Sequence, residues 1–221
     1  MLFRDRTDAG RQLATMLTHY ADRPDVIVLA LPRGGVPVAF EVASRLHAPL
    51  DVFMVRKLGV PGHEELAMGA LASGGVQILN QELVDALDIS DDQIAATVAQ
   101  ESAELTRRER AYRDDRPPID VRGRTVILID DGLATGATMR AAVAAVNRQK
   151  PAKLIVAVPV GAAETCRELR NETDETICFR TPAHFRAVGM WYQNFSQTTD
   201  DEVRTLLKQS GQHRASANTS H

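Results

Sequence analysis

The chain has 221 residues, of which 44% are apolar and 25% charged, with a net charge of −3. That is enough apolar material for one sizeable core with an appendage, and the mild acidity excludes a global basic field that would recruit nucleic acid or an anionic membrane. The longest apolar runs are of strand length, far short of the ~20 residues a membrane span requires, and the first six residues turn polar too early for the apolar core of a signal peptide.

Leu13, Met16, Leu17 and Tyr20 recur at helical spacing and predict a first helix over residues 7–20. Val26 to Leu31 is a short continuous apolar strand, followed by the turn Pro32-Arg33-Gly34-Gly35. Pro37 then suits the first turn of a helix running to about Leu46. Asp51 to Val55 is the next strand. Residues 56–75 are Gly-rich with mixed charges and predict a long loop, mobile without ligand, with at most a short hairpin around Gly69 to Val76.

An insertion occupies about 80–120. Ser90 and Gln93 form a capping-box pattern, and Ile94, Val98, Leu105 and Tyr112 mark one face of a long helix. This helix could be a hood over a site or an arm for a homodimer. The charge-dense Arg107 to Arg110 reads as its solvated face. Three further steps follow: strand 125–130, helix 138–149, strand 153–158, helix 161–170 and strand 175–180. Strands alternating with helices predict an α/β chain with a central, mainly parallel sheet. Residues 1–208 read as a single domain, and the small, polar residues of 209–221 predict a disordered tail. Cys166 and Cys178, without metal-ligand spacing, are expected to be buried free thiols in a reducing cytoplasm.

The most informative stretch is Val126 to Thr138. Four apolar residues make a buried strand, and Asp130 and Asp131 stand at its carboxyl end. The loop Ala134-Thr135-Gly136-Ala137-Thr138 then opens an alanine-rich helix. Ligands of open α/β sheets bind outside the carboxyl ends of strands. The low side-chain bulk leaves N–H groups free to converge on an anion, helped by the helix N-terminus and the Thr135 and Thr138 hydroxyls. Carboxylates beside a phosphate cradle suit a phosphorylated ribose. The phosphate loop of nucleotide triphosphatases, the dinucleotide-binding glycine motif and the hydrolase nucleophile elbow are all missing.

This stretch resembles the phosphoribosyl-pyrophosphate (PRPP) motif of type I phosphoribosyltransferases, and the chain from Leu2 through Trp191-Tyr192 looks most like a bacterial group without an assigned acceptor. Gly132 departs from the motif, where the family usually has a branched aliphatic residue. The resemblance implies that Asp130 and Asp131 bind ribose hydroxyls, directly or through Mg²⁺ and its waters, and that Ala134 to Thr138 take the 5′-phosphate. Arg33, Gly34 and Gly35 resemble the loop that holds diphosphate. Arg56 and Lys57 resemble the start of the family's flexible lid, with His63, Glu64 and Glu65 as candidate proton acceptors. In both places an ordinary turn or an exposed basic pair is the competing reading. Phe185, Trp191 and Tyr192 resemble the hood that stacks on a base, with core packing as the alternative.

The resemblance implies transfer of ribose 5-phosphate from PRPP to a nitrogen nucleophile, with Arg33, Lys57, Asp130 and Asp131 as the catalytic group. Ala134 stands where the hypoxanthine/guanine enzymes carry an Asp, as it does in the adenine enzymes, which disfavours a 6-oxopurine acceptor of the usual kind. The alternative is a regulator that binds PRPP or a nucleotide without catalysis.

Overall fold

A computed structural model describes residues 2–114 and 116–218, the side chains of 213–218 excepted. Five strands, β1 (Val26–Ala30), β2 (Leu50–Val52), β6 (Thr125–Ile129), β7 (Lys153–Val160) and β8 (Glu175–Arg180), form one sheet in the order β2-β1-β6-β7-β8. Every pairing is parallel. The three central strands, β1, β6 and β7, are near-continuously apolar because both faces are covered. Alternate residues go to opposite sides: Val28, Ala30, Ile127 and Ile129 pack into one core, while Ile27, Leu29, Val126 and Leu128 pack into the other.

Helices α1 (Arg6–Ala14) and α2 (Gly35–Leu46) pack on each other, and Leu13, Val38 and Val42 contribute to the first core. Helix α5 (Ala137–Arg148) and the short α6 (Ala163–Leu169) cover the second face through Met139, Val143, Cys166 and Leu169. The predicted first helix stops at Ala14, and Thr18–Tyr20 is a separate 3₁₀ turn. Helix α2 begins two residues before Pro37, with Gly34 as its N-cap.

Residues 56–75 differ most from expectation. They are mostly strand: β3 (Val55–Val60), β4 (His63–Ala72) and β5 (Val76–Leu79) form an antiparallel ribbon of three strands. Leu58 and Val60, two residues apart, and Met68 and Leu71 on the neighbouring strand pack into the first core, giving the ribbon an apolar face that the glycines obscured. Its outer part, His63 to Ala67, has no buried residue and carries the polarity that read as a loop. The expected strand 51–55 is thereby divided, since Val55 already belongs to the ribbon.

The insertion holds α3 (Gln81–Ala86) and α4 (Asp91–Arg113), and α4 opens with the predicted capping box between Ser90 and Gln93. Leu105 and Tyr112 are buried, and Ile94 and Val98 pack beside them, so the helix face read from the sequence is the one used. It packs on the ribbon and on the C-terminal helix α7 (Asp200–Asn218). Helix α7 passes Lys208 and runs through most of the stretch expected to be disordered; residues 219–221 lie outside the described ones. No described helix is long and apolar enough to cross a membrane.

The two cysteines are not free thiols. Cys166 on α6 and Cys178 on β8 face each other across the second core with Cα atoms 6.5 Å apart, and they form a disulfide. The sequence separation of 12 conceals a contact that exists because β8 lies directly under α6.

A buried polar chain fixes the root of the ribbon. Arg113 Nε donates to both Asp51 carboxylate oxygens at 2.9 and 3.1 Å, and its Nη2 donates to the Val52 carbonyl at 2.8 Å. Asp51 also accepts from the amides of Val52 and Ile119. Glu109 pairs with Arg113 and accepts from Ser73, whose hydroxyl accepts from the Met54 amide. The Asp51 and Arg113 side chains are only 8% and 6% exposed, so removing one strands the other. Asp51→Ala should destabilise the fold by about 3–5 kcal/mol, measured by urea unfolding. A loss below about 1 kcal/mol, ordinary for an exposed ion pair, would contradict this account.

Candidate functional site

The strand order places β1 beside β6, and their successors lie on opposite sides: β1 leads to β2, and β6 leads to β7. The chain therefore leaves a crevice between the carboxyl ends of β1 and β6, where the direction of winding reverses. Both glycine-rich segments stand at this crevice. Helix α2 starts from the Pro32–Gly35 turn, whose Pro32–Arg33 peptide is cis, and α5 starts from the loop 134–138.

The two segments touch through the acids. A Cβ on Gly34 would stand 2.0 Å from Asp131 Oδ2, and one on Gly35 would stand 2.7 Å from the Ile129 carbonyl. Neither position admits a side chain, so the turn is pressed against the end of β6 by its lack of one. Asp130 Oδ1 accepts from the Asp131 amide at 2.8 Å. Burial raises the Asp130 carboxyl well above the ordinary carboxylate range, and the neighbouring Asp131 charge adds to the rise. Burial also raises Asp131, opposed by a hydrogen bond from Arg6.

The phosphate-type loop is held from below and open above. Leu133 pairs with β7 and Gly161, through its amide to Val160 and its carbonyl to Ala162. Thr165 Oγ1 donates to the Ala134 carbonyl at 2.8 Å. Gly136 takes the left-handed conformation, φ 75°, that caps α5. Ala134, Thr135, Ala137 and Thr138 are exposed, and among the described residues no acceptor bonds the amides of Thr135 to Thr138. Four donors at a helix start are thus without an acceptor among the described residues.

The predicted cations take different directions. Arg33 lies 3.7 Å from Asp200 on α7, which also accepts from Tyr112 at 2.6 Å. Arg33 lines a cavity of about 290 Å³ with Arg107, Arg108 and Arg204, and the Arg107 and Arg108 side chains are exposed and paired with Glu104, as expected of a solvated face. Arg56 turns to α4 and pairs with Glu101. Lys57 donates to the Glu65 carbonyl at 2.9 Å and lines, with Thr138, a cavity of about 610 Å³ between the ribbon and α5. His63, Glu64 and Glu65 are exposed on the outer ribbon.

The aromatic segment divides. Tyr192 is not available for stacking on a ligand: it is 5% exposed, packs on Phe3 at 5.4 Å and donates its hydroxyl to the Asp131 carbonyl at 2.5 Å. Phe185 and Trp191 are partly buried against the same small cluster, and the Trp191 Nε1 donor is buried without an acceptor among the described residues. The segment lies directly over the strand end. A Cβ on Gly132 would stand 2.4 Å from Val188, so Val188 fills the space of the branched residue expected there.

Sequence reasoning missed Arg6. From α1 it donates through Nε to Asp131 Oδ2 at 2.8 Å and through Nη1 to the Ser196 carbonyl at 2.6 Å, with its guanidinium 4.0 Å over the Phe195 ring. It stands 125 residues from Asp131 with no motif around it, so only the fold reveals the pair.

A sequence profile described as phosphoribosyl transferase domain matches residues 5–193. A Mycobacterium tuberculosis protein, provisionally named a phosphoribosyl transferase, is 47% identical over 206 residues, which cover 93% of this chain and 46% of that protein. The chain thus spans about half the length of this relative. A Chloroflexus aurantiacus protein named bifunctional protein PyrR is 34% identical over 145 residues, covering 64% of this chain and 72% of its own. The crystal structure of TT1426 from Thermus thermophilus superposes with a TM-score of 0.81 at 41% identity, covering 95% of this chain and 99% of that one.

The raised carboxyls carry a prediction for stability without ligand. The folded chain retains protons on the pair that the unfolded chain releases as pH climbs past the ordinary 3.8. Stability therefore falls with rising pH until the raised values are passed. Asp130→Asn removes that cost and should raise the melting temperature at neutral pH, by about 2–4 °C for each kcal/mol recovered. Its advantage over wild type should shrink as the pH is lowered toward 4. A variant less stable than wild type at neutral pH would refute the assignment of the acids as a destabilising pair.

Proposed function

The chain belongs to the phosphoribosyl transferase domain family, and we propose that it transfers ribose 5-phosphate from PRPP to a nitrogen nucleophile and releases diphosphate. The observation that carries this reading is the contact of the partly buried Asp130–Asp131 pair with the Gly34-Gly35 turn, followed three residues on by the loop whose amides, Thr135 to Thr138, have no acceptor among the described residues.

In this reading the amides and hydroxyls of 135–138 receive the 5′-phosphate, and the two carboxylates accept from the ribose 2′- and 3′-hydroxyls. The turn at Gly34-Gly35, held against the acids by its lack of side chains, receives the diphosphate beside them. The C1′–O bond then breaks with its electron pair leaving on the diphosphate oxygen. The acceptor nitrogen forms the new C1′–N bond with its lone pair and gives up a proton. The developing ribosyl cation needs rigid placement and a stabilised leaving group more than it needs a nucleophilic side chain.

Mg²⁺ fits the donor set. Asp130 and Asp131 are adjacent hard oxygen donors, and no third acid joins them in a cluster among the described residues, so phosphate oxygens and water would supply the remaining ligands. Bound there, the ion would offset diphosphate charge. Lys57, sharing a cavity with Thr138, is the ribbon residue that closure of the ribbon over the site would bring to the phosphates.

Ala134 leaves no carboxylate before Thr135 to help remove a proton from a 6-oxopurine. Hypoxanthine and guanine are therefore expected to be poor acceptors compared with another nitrogen base. The test is diphosphate release from PRPP and Mg²⁺ across a panel of nucleobases and amines. The reading predicts release with one class of acceptor, and PRPP binding with no release for any acceptor would favour a non-catalytic regulator instead. Asp131→Asn and Thr138→Ala should each weaken PRPP binding about 10- to 100-fold, the loss of one charged hydrogen-bond partner. Calorimetry showing unchanged affinity in both would overturn the site.

A further inference from the structure

Arg6 sits where two parts of the crevice meet. Its Nε is 2.8 Å from Asp131 Oδ2 and 3.3 Å from the place a Cβ on Gly34 would occupy. It therefore borders both the acid assigned to ribose and the turn assigned to diphosphate. We propose that Arg6 is a further substrate-binding cation, paired with Asp131 in the free protein and with the diphosphate of the donor in the complex; this rests on PRPP being the donor.

Three observations carry the assignment. The side chain is only 12% exposed, so its charge is set inside the crevice rather than left in solvent. Its plane is fixed by the Phe195 ring at 4.0 Å and by the Ser196 carbonyl at 2.6 Å, which leaves the fork oriented before any ligand arrives. A fixed guanidinium presents parallel donors that match phosphate oxygens. Two of the three cations expected from sequence pair elsewhere, Arg33 with Asp200 and Arg56 with Glu101, and the third, Lys57, stands on the ribbon.

Charge balance supplies the reason for the exchange. Without ligand, Asp131 is a partly buried acid and Arg6 is its counter-charge. When ribose hydroxyls turn to Asp131, Arg6 faces an incoming polyanion beside the Gly34 turn. One cation thus serves the apo protein and the complex in succession. Its position on α1 also explains why the N-terminal segment is tied to the hood, through the Phe3 amide to the Trp191 carbonyl and the Gln193 amide to the Phe3 carbonyl.

The test is calorimetry of wild type, Arg6→Gln and Arg6→Lys against three probes: PRPP, inorganic diphosphate and ribose 5-phosphate, each with Mg²⁺. Arg6→Gln should lose about 10- to 100-fold for PRPP and for inorganic diphosphate, with ribose 5-phosphate changed by less than about threefold. Arg6→Lys keeps the charge without the fork, folds if the charge alone is needed there, and should recover part of the diphosphate affinity. Equal losses for all three probes would overturn the proposal, because Arg6 would then act only by holding Asp131 and the hood in place. Unchanged diphosphate affinity would overturn it as well. Wild type that binds inorganic diphosphate through Arg6 but not PRPP would overturn the donor assignment and leave Arg6 as a diphosphate ligand. Wild type that binds neither would overturn both.

Discussion

Two adjacent, partly buried carboxylates at the end of one strand repel each other and lose hydration, and the surrounding residues are arranged by that cost. Arg6 supplies charge from α1, Tyr192 caps the Asp131 carbonyl, and the Asp131 amide turns back to Asp130. The turn at Gly34-Gly35 closes from the other strand without side chains in the way. None of these contacts fully compensates the pair, since both carboxyls remain raised. A stable fold has no use for such an arrangement. It is expected where a ligand brings the missing partners, and perturbed groups in a crevice mark functional sites for this reason.

Around that centre the chain builds two covers of different kinds. The hood is anchored tightly: Val188 sits in the space left by Gly132, and the Gly189 position is closed by the Phe195 ring. The ribbon is fixed at its root by the Asp51–Arg113–Glu109–Ser73 chain, while its outer strand segment from His63 to Ala67 is exposed. The ribbon thus has a firm root and an exposed tip, whereas the hood is held along its length. Helix α4 lies against this ribbon and against α7, so the insertion supports the cover within its own chain.

The sheet and the acidic motif are legible in the sequence because they depend on local pattern. Continuous apolar runs at Val26 and Val126 suit strands covered on both faces, and the two acids stand at a strand end in any register. The capping box at Ser90 is likewise a local device and forms where its residues place it. What the sequence conceals depends on contacts between distant segments. Glycines in 56–75 hide the apolar face of Leu58, Val60, Met68 and Leu71, which only a hydrogen-bonded neighbour turns into a ribbon. The same holds for the disulfide, for the burial of Tyr192, and for Arg6, a residue in a polar N-terminal stretch that gains its meaning from the crevice it enters.

The central claim is that the ends of β1 and β6 form one PRPP site, and amide hydrogen exchange with and without PRPP and Mg²⁺ tests it most directly. The account predicts slowed exchange at two separated stretches together, residues 33–36 and 134–139, because one ligand would cover both from within the crevice. Protection confined to one stretch, or appearing only elsewhere in the chain, would contradict it.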